Sequence, residues 1–340
     1  MKQILFFLAL SLILMNSLSE VAHAKSEAKK PDTQPTPLQC VAFSPYVGQL
    51  NPDYGPHPSK AQIEQLLDVL IEKTPFRCIM TYGVLNGLDV TFAAAEARGI
   101  KVIAILWLDD DIEVNSASIS HGIALARTYP KTIIKLSCGS EVRTRHGNTL
   151  DNEIIRCLDA MREAKVTQPV TTIDTWWEWC NRATPCQQTV FANRVDWIGT
   201  NIFPWWENKH AGVYSCTPAE KAADFHVLRL SEIRRIYPGK EVIMTEFGWP
   251  YAPEGATEIN ERTGEHCGIA NRKNQALVIR STLEKMTEYQ WSSIIFEAFS
   301  ENWKSKNEGL FGGSWGICSG EPPYECLTGL VSSPSRGQPR

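Results

Sequence analysis

Eight short apolar runs recur along the chain, separated for the most part by amphipathic helical patterns, and this alternation limits the fold more than any other feature. Cys40-Val41-Ala42-Phe43 is followed by a capping box, Ser59-Lys60-Ala61-Gln62, and by Ile63, Leu66, Leu67, Leu70 and Ile71 on one helix face. Cys78-Ile79-Met80-Thr81-Tyr82 leads to a helix that Gly99 closes, and Lys101 to Trp107 is the third run. A helix near Ser118 to Tyr129 precedes Thr132 to Ser137, and Leu150, Ile154, Ile155, Leu158 and Met161 mark the next helix. Pro169 to Ile173, Asp196 to Ile202, Glu241 to Thr245 and Ser293 to Phe299 complete the set. Thr217-Pro218-Ala219-Glu220 is expected to cap the helix after the sixth strand, while 175–189, after the fifth, is expected to be mostly loop. Regular βα alternation without an internal composition break predicts an α/β protein with a single (β/α)8 TIM barrel. The phosphate loops GxGxxG and GxxxxGK[ST] are absent, which argues against a nucleotide-binding doubly wound sheet.

The ends are read as lying outside the barrel. Lys2, the apolar run Ile4 to Met15 and Ala22-His23-Ala24 have the pattern of a secretory signal peptide over 1–24, too short for a membrane span. Residues 25–37 read as an unstructured leader, 38–330 as the barrel domain and 331–340 as a flexible tail. Export after cleavage near Ala24, to the periplasm or the outside, agrees with ten cysteines, an even number suited to an oxidising compartment. Cys180 and Cys186 are the easiest local pair; Cys78 and Cys138, inside strands, are also readable as small core residues. No CxxC or HExxH spacing appears, and His57, His121, His146, His210, His226 and His266 are assigned to no metal. No cofactor is called for. With 34 basic and 38 acidic residues the net charge is -4, which gives no electrostatic case for binding nucleic acid or an anionic membrane; a neutral ligand fits better.

In such a barrel the chemistry sits where strands run into the following loops. Glu141 follows the fourth strand and Glu246 ends the seventh, so closure of the barrel brings both to one rim. Paired carboxylates suit glycoside cleavage with retention, in which one protonates the leaving oxygen and the other attacks the anomeric carbon.

Around these residues the chain resembles glycoside hydrolase family 17, the β-1,3-glucanases, from about Val41 to Phe311. The resemblance rests on Phe43-Ser44-Pro45-Tyr46, Thr81-Tyr82-Gly83, Ile202 to Glu207, the Thr245-Glu246-Phe247-Gly248-Trp249-Pro250 motif, and Phe296 to Lys304. It implies that Glu246 is the nucleophile, Glu141 the acid/base, and a β-1,3-linked glucan or oligosaccharide the partner. Glu301 and Lys304 match cleft positions of the family. Two positions depart from its pattern: Ser140 stands where an asparagine normally contacts the sugar 2-hydroxyl, and Met80 where an arginine precedes the tyrosine of the second strand.

Tyr46, Tyr82, Phe203, Trp205, Trp206 and Trp249 are candidate platforms for pyranose rings, with Trp176, Trp177 and Trp179 as a second group. Asn201 and Glu297 are polar groups near the ends of strands six and eight, and a charge inside a barrel strand such as Glu297 needs a partner or a function. The expected protein is a retaining glycosidase. A glucanosyltransferase, which passes the same glycosyl intermediate to a sugar, and a non-catalytic glucan-binding barrel are the alternatives.

Overall fold

The computed structural model describes residues 37–210 and 216–330. The proposed signal peptide, leader to Thr36 and tail from residue 331 lie outside the described residues. Eight strands form a closed, wholly parallel barrel: β1 (Gln39–Phe43), β2 (Cys78–Thr81), β3 (Lys101–Leu106), β4 (Ile133–Ser140), β5 (Val170–Thr175), β6 (Trp197–Asn201), β7 (Glu241–Phe247) and β8 (Ser293–Ile295). Each pairs with its sequence neighbour, and β1 pairs with β8 to close the ring.

Alternation along the strands divides the core into two layers. Cys40, Ala42, Met80, Ile103, Ile105, Ile173, Trp197 and Ile243 fill the barrel, whereas Val41, Ile79, Val102, Ala104 and Val242 face the helices. The helix Lys60–Lys73 shows how sequence builds the outer layer. Ser59 accepts a hydrogen bond from the Gln62 N–H while the Gln62 side chain accepts from the Ser59 N–H, and Ile63, Leu66, Leu67 and Leu70 are buried on one face. Each such side chain contributes roughly 1.5–3 kcal/mol of transfer free energy.

Three local expectations change. The helix after β3 begins earlier than expected, at Ile112, because Asp111 accepts from the backbone N–H groups of Glu113 and Val114. Thr217 does not cap the helix Ala222–Ile236: its own backbone is bound by the Asn208 side chain, and a 3-10 turn, Ala219–Lys221, intervenes. The eighth strand stops at Ile295: Phe296 and Ala298 still donate to Phe247 and Ala42 of the neighbouring strands, but Glu297 between them exchanges backbone bonds with Trp315 and Ile317. The segment after β5 is a single short helical turn, Trp176–Trp179, followed by loop, as expected.

All ten cysteines are paired, as Cys40–Cys78, Cys138–Cys157, Cys180–Cys186, Cys216–Cys267 and Cys318–Cys326. The local pair is as expected. Cys78 and Cys138 are buried, but they are not free core thiols: the first ties β2 to β1, and the second ties β4 to the helix Asp151–Glu163.

Candidate active site

The ends of β4 and β7 open into one cleft of about 540 Å³. Glu141 and Glu246 both line it, with Ser140, Tyr46, Tyr82, Glu301 and Lys304. Local backbone geometry aims the two glutamates. Glu141 adopts a left-handed conformation, φ 54°, and its N–H donates to the Ile173 carbonyl at 2.8 Å. Gly139 before it has φ +82°, and a Cβ there would lie 2.4 Å from the Val142 side chain. Past Glu246, a Cβ on Gly248 would meet the Phe296 carbonyl oxygen at 2.3 Å, which is why the motif needs glycine at that position. Strand register also shifts at the rim, between Ser137 and Ser140 of β4 and between Thr200 and Asn201 of β6.

Asn201 joins the two strand ends. Its amide donates to Glu141 Oε1 at 2.9 Å and its carbonyl accepts the Thr245 hydroxyl at 2.8 Å, so the network fixes its orientation. The Tyr82 hydroxyl donates to Glu246 Oε1 at 2.8 Å. Burial raises the Glu141 carboxyl above its ordinary range, opposed by the Asn201 hydrogen bond and by the Arg145 charge. Glu246 is raised further, first by burial and then by the negative charge of Glu141, while Tyr82 and Lys304 favour its ionised form. The negative charge of Glu141 thus adds to burial in disfavouring the ionised form of Glu246, and Tyr82 and Lys304 oppose both.

A second charged group supports the floor. Lys304 is buried between Glu297 and Glu301, bonded to the first and 2.6 Å from Glu301 Oε2. Glu301 also accepts from the Ser44 hydroxyl and from Trp303 Nε1 at 3.1 Å. Burial pushes the Glu297 carboxyl well up, whereas the Lys304 cation and several donors hold Glu301 low. Glu297 therefore has the partner that its place in the sequence demanded, and it does not line the cleft.

The aromatic candidates divide. Tyr46 and Tyr82 line the cleft; Tyr46 shares a hydrogen bond with His57 Nδ1 at 3.0 Å. Trp205 and Trp249 are fully buried and pack edge to face, centroids 4.9 Å apart, in an apolar cluster with Phe311 and Trp315. They are core residues and not sugar platforms. Adjacent Trp205 and Trp206 do point to different environments: Trp206 is half-buried against Trp315, and Phe203 packs on Phe296 and Trp315; neither lines the cleft. The second group also fails as a platform. Trp176 and Trp179 are buried and donate to Glu207 and to the Gly199 carbonyl, leaving only Trp177 exposed.

Sequence reasoning missed Trp107, Asp109, Arg145, Trp303 and Glu308 on the cleft wall and Asp174 behind it. Asp174 accepts from the Arg143 N–H at 2.9 Å and from the Thr144 hydroxyl at 2.6 Å, bracing the turn that carries Glu141. Its signal was available: a charged residue inside a barrel strand is the same anomaly that singled out Glu297. Among the described residues, the groups spaced like metal ligands, Cys180-Cys186-Glu232 and Cys216-Glu265-Cys267, use sulfurs already joined in disulfides, which lack the thiolate a metal binds.

A parallel eight-stranded barrel with one carboxylate from β4 and one from β7 in a single cleft is the architecture of a glycoside hydrolase. The chain belongs to the BtgE/BtgC glycoside hydrolase domain family, which matches residues 40–316. It is 23% identical over 283 residues to the probable beta-glucosidase btgE of Aspergillus clavatus, covering 78% of this chain and 44% of that protein. It is 24% identical over 281 residues to the glucan 1,3-beta-glucosidase of Arthroderma benhamiae, covering 80% and 85%. The chain spans less than half the length of the first of these relatives. Similar folds occur in an endo-laminarinase from Formosa, with TM-score 0.68, 15% identity and 83% of each chain covered. The glycoside hydrolase family 17 beta-1,3-glucanosyltransferase of Rhizomucor miehei gives TM-score 0.63 and 18% identity over 84% of this chain and 94% of that one. An active-site mutant of the latter is known in complex with laminaritriose.

Proposed function

We propose that the protein is an exported retaining glycosidase that cleaves β-1,3-linked glucan, with Glu246 as nucleophile and Glu141 as acid/base. The observation that carries this reading is the pair of carboxyls on one cleft, each held by a separate donor, Asn201 for Glu141 and Tyr82 for Glu246. The linkage follows from the names of the relatives and from the Thr245 to Pro250 motif.

In the first step Glu141 gives its proton to the glycosidic oxygen as the bond from C1 breaks, and the Glu246 carboxylate bonds to C1. The leaving alcohol departs. In the second step the Glu141 carboxylate takes a proton from water, the oxygen of that water attacks C1, and Glu246 is released as a carboxylate. Tyr82 keeps the attacking oxygens oriented, and Asn201 stabilises Glu141 in the half-cycle in which it is an anion. Tyr46, Ser140, Glu301 and Lys304 are assigned to sugar binding because they share the cleft.

The domain limits follow the same reading: signal peptide 1–24, leader 25–37, catalytic barrel 38–330 and tail 331–340. Five disulfides support export to an oxidising compartment. Among the described residues, no helix is long and apolar enough to cross a membrane.

Incubation with reduced laminari-oligosaccharides separates the chemical outcomes. Shorter products mean hydrolysis, longer ones glucanosyl transfer, and unchanged ones binding alone. Glu246→Ala is expected to lose turnover of every substrate, whereas Glu141→Ala retains glycosylation by an activated aryl glycoside and is rescued by azide in the second step. Proton NMR is expected to show the β anomer first; an α anomer at first appearance rules out double displacement.

A further inference from the structure

The two catalytic glutamates are held in different ways. Glu246 lies inside β7, whose ladder sets its backbone. Glu141 lies past the end of β4, in a left-handed conformation that residues bearing a Cβ disfavour, so bonds from outside its own strand must fix it.

Those bonds come from β5 and the loop behind it. The Ile173 carbonyl accepts the Glu141 N–H at 2.8 Å. The next residue of β5, Asp174, is 4% exposed, and both of its oxygens are used. Oδ2 accepts from the Arg143 N–H at 2.9 Å, and Oδ1 from the Thr144 hydroxyl at 2.6 Å and the Thr175 N–H at 2.9 Å. Two of these donors belong to the catalytic turn, so the carboxyl ties that turn to β5 rather than merely finishing its own strand. The Arg143 carbonyl in turn accepts from the Arg182 guanidinium at 3.0 Å. Arg182 also has left-handed backbone, φ 53°, inside the loop that the Cys180–Cys186 bridge closes, and buried Glu178 anchors its Nε at 2.7 Å. The Arg143 side chain pairs with Asp151, on the helix that the Cys138–Cys157 bridge ties to β4. Both backbone groups of Arg143, two residues past Glu141, are thus gripped by residues that do not line the cleft.

We propose that Asp174 is a positioning residue for the acid/base: together with Arg182 it fixes the turn after Glu141 so that this carboxyl meets the glycosidic oxygen, and it serves proton transfer but not nucleophilic attack. The proposal rests on the glycosidase reading above. The separation of the two steps follows from where the bonds fall, since Glu246 is held instead by the Tyr82 hydroxyl, just past β2.

The test compares Asp174→Ala with the parent protein by kcat/KM, which reports the first chemical step, on two substrates. Laminaritetraose needs the proton of Glu141 in that step; a dinitrophenyl β-laminaribioside, whose leaving group is already acidic, does not. Asp174→Ala is expected to lower kcat/KM about tenfold to a hundredfold on the oligosaccharide and far less on the aryl glycoside, and azide is expected to speed the second step of the variant on the aryl glycoside. Thr144→Val removes one of the three donors and leaves no buried charge behind. It is expected to show the same split at a smaller size, and it decides the matter if a melting curve finds Asp174→Ala unfolded. Equal losses on both substrates, or no loss on either, overturn the positioning role alone. A parent protein that cleaves neither substrate overturns the glycosidase reading and the positioning role with it.

Discussion

Replacing Asn201 by alanine isolates the control of the proton on Glu141. Asn201 is 1% exposed, its amide donates to Glu141 Oε1 at 2.9 Å, and it carries no charge, so the change removes a hydrogen bond to the ionised form without altering net charge. A hydrogen bond to a charged group is worth about 1.5–3 kcal/mol, which at about 1.4 kcal/mol per unit corresponds to a rise of roughly one to two pH units in the Glu141 pKa. The sign follows from the donor favouring the carboxylate: its loss raises the pKa. Because the first step needs Glu141 protonated, the basic limb of the pH dependence of kcat/KM should move upward by that amount. The plateau should fall as well, since the anionic acid/base of the second step loses its donor. The assay is a pH–rate profile on laminari-oligosaccharide, with an aryl glucoside as control. On the aryl substrate glycosylation needs no proton from Glu141, so the basic limb should move much less. A basic limb that stays in place on the oligosaccharide would refute both the role of the Asn201 bond and the assignment of Glu141 as acid.

Ser140→Asn restores the side chain usual in the family next to Glu141 on the cleft wall; it is expected to raise kcat by about tenfold or more on normal substrate, and to give no gain on a substrate with a 2-deoxy sugar at the cleavage site. Burial raises Glu297 far above its ordinary 4.5, so the folded protein keeps a proton that the unfolded chain releases, and stability should fall as pH rises above that value. Denaturant unfolding across that range measures the slope, and Glu297→Gln should flatten it. Mass analysis after alkylation without reduction should find no free thiol under native or denaturing conditions, and reduction should lower the melting temperature because each bridge restrains the unfolded chain by about 2–4 kcal/mol.

The family match and the neighbouring folds agree with the class that two rim glutamates suggested. Relatives bearing glucosidase and endo-glucosidase names share the same level of identity with the chain, 23–24%.

The sequence by itself determined the barrel, since eight apolar runs alternating with helix patterns have few ways to bury both faces of a parallel sheet. It also placed Glu141 and Glu246 on one rim, because their positions at strand ends translate directly into height on the barrel. Local chemistry was legible where its partners are near in the chain, as in the Ser59 capping box and the Cys180–Cys186 bridge. What the sequence did not hold was the direction of a side chain leaving a loop. Trp205 and Trp206 are identical neighbours, yet one is fully buried against Trp249 and the other is half-exposed, because the fate of each depends on Phe311 and Trp315, about a hundred residues away. Trp107 read as the last residue of an apolar strand until the tertiary fold laid Arg145 across it. Partners from different strands meet only when the barrel closes, so the burial of Trp205, the bridge made by Asn201 and the backing of Trp107 were decided by tertiary structure alone.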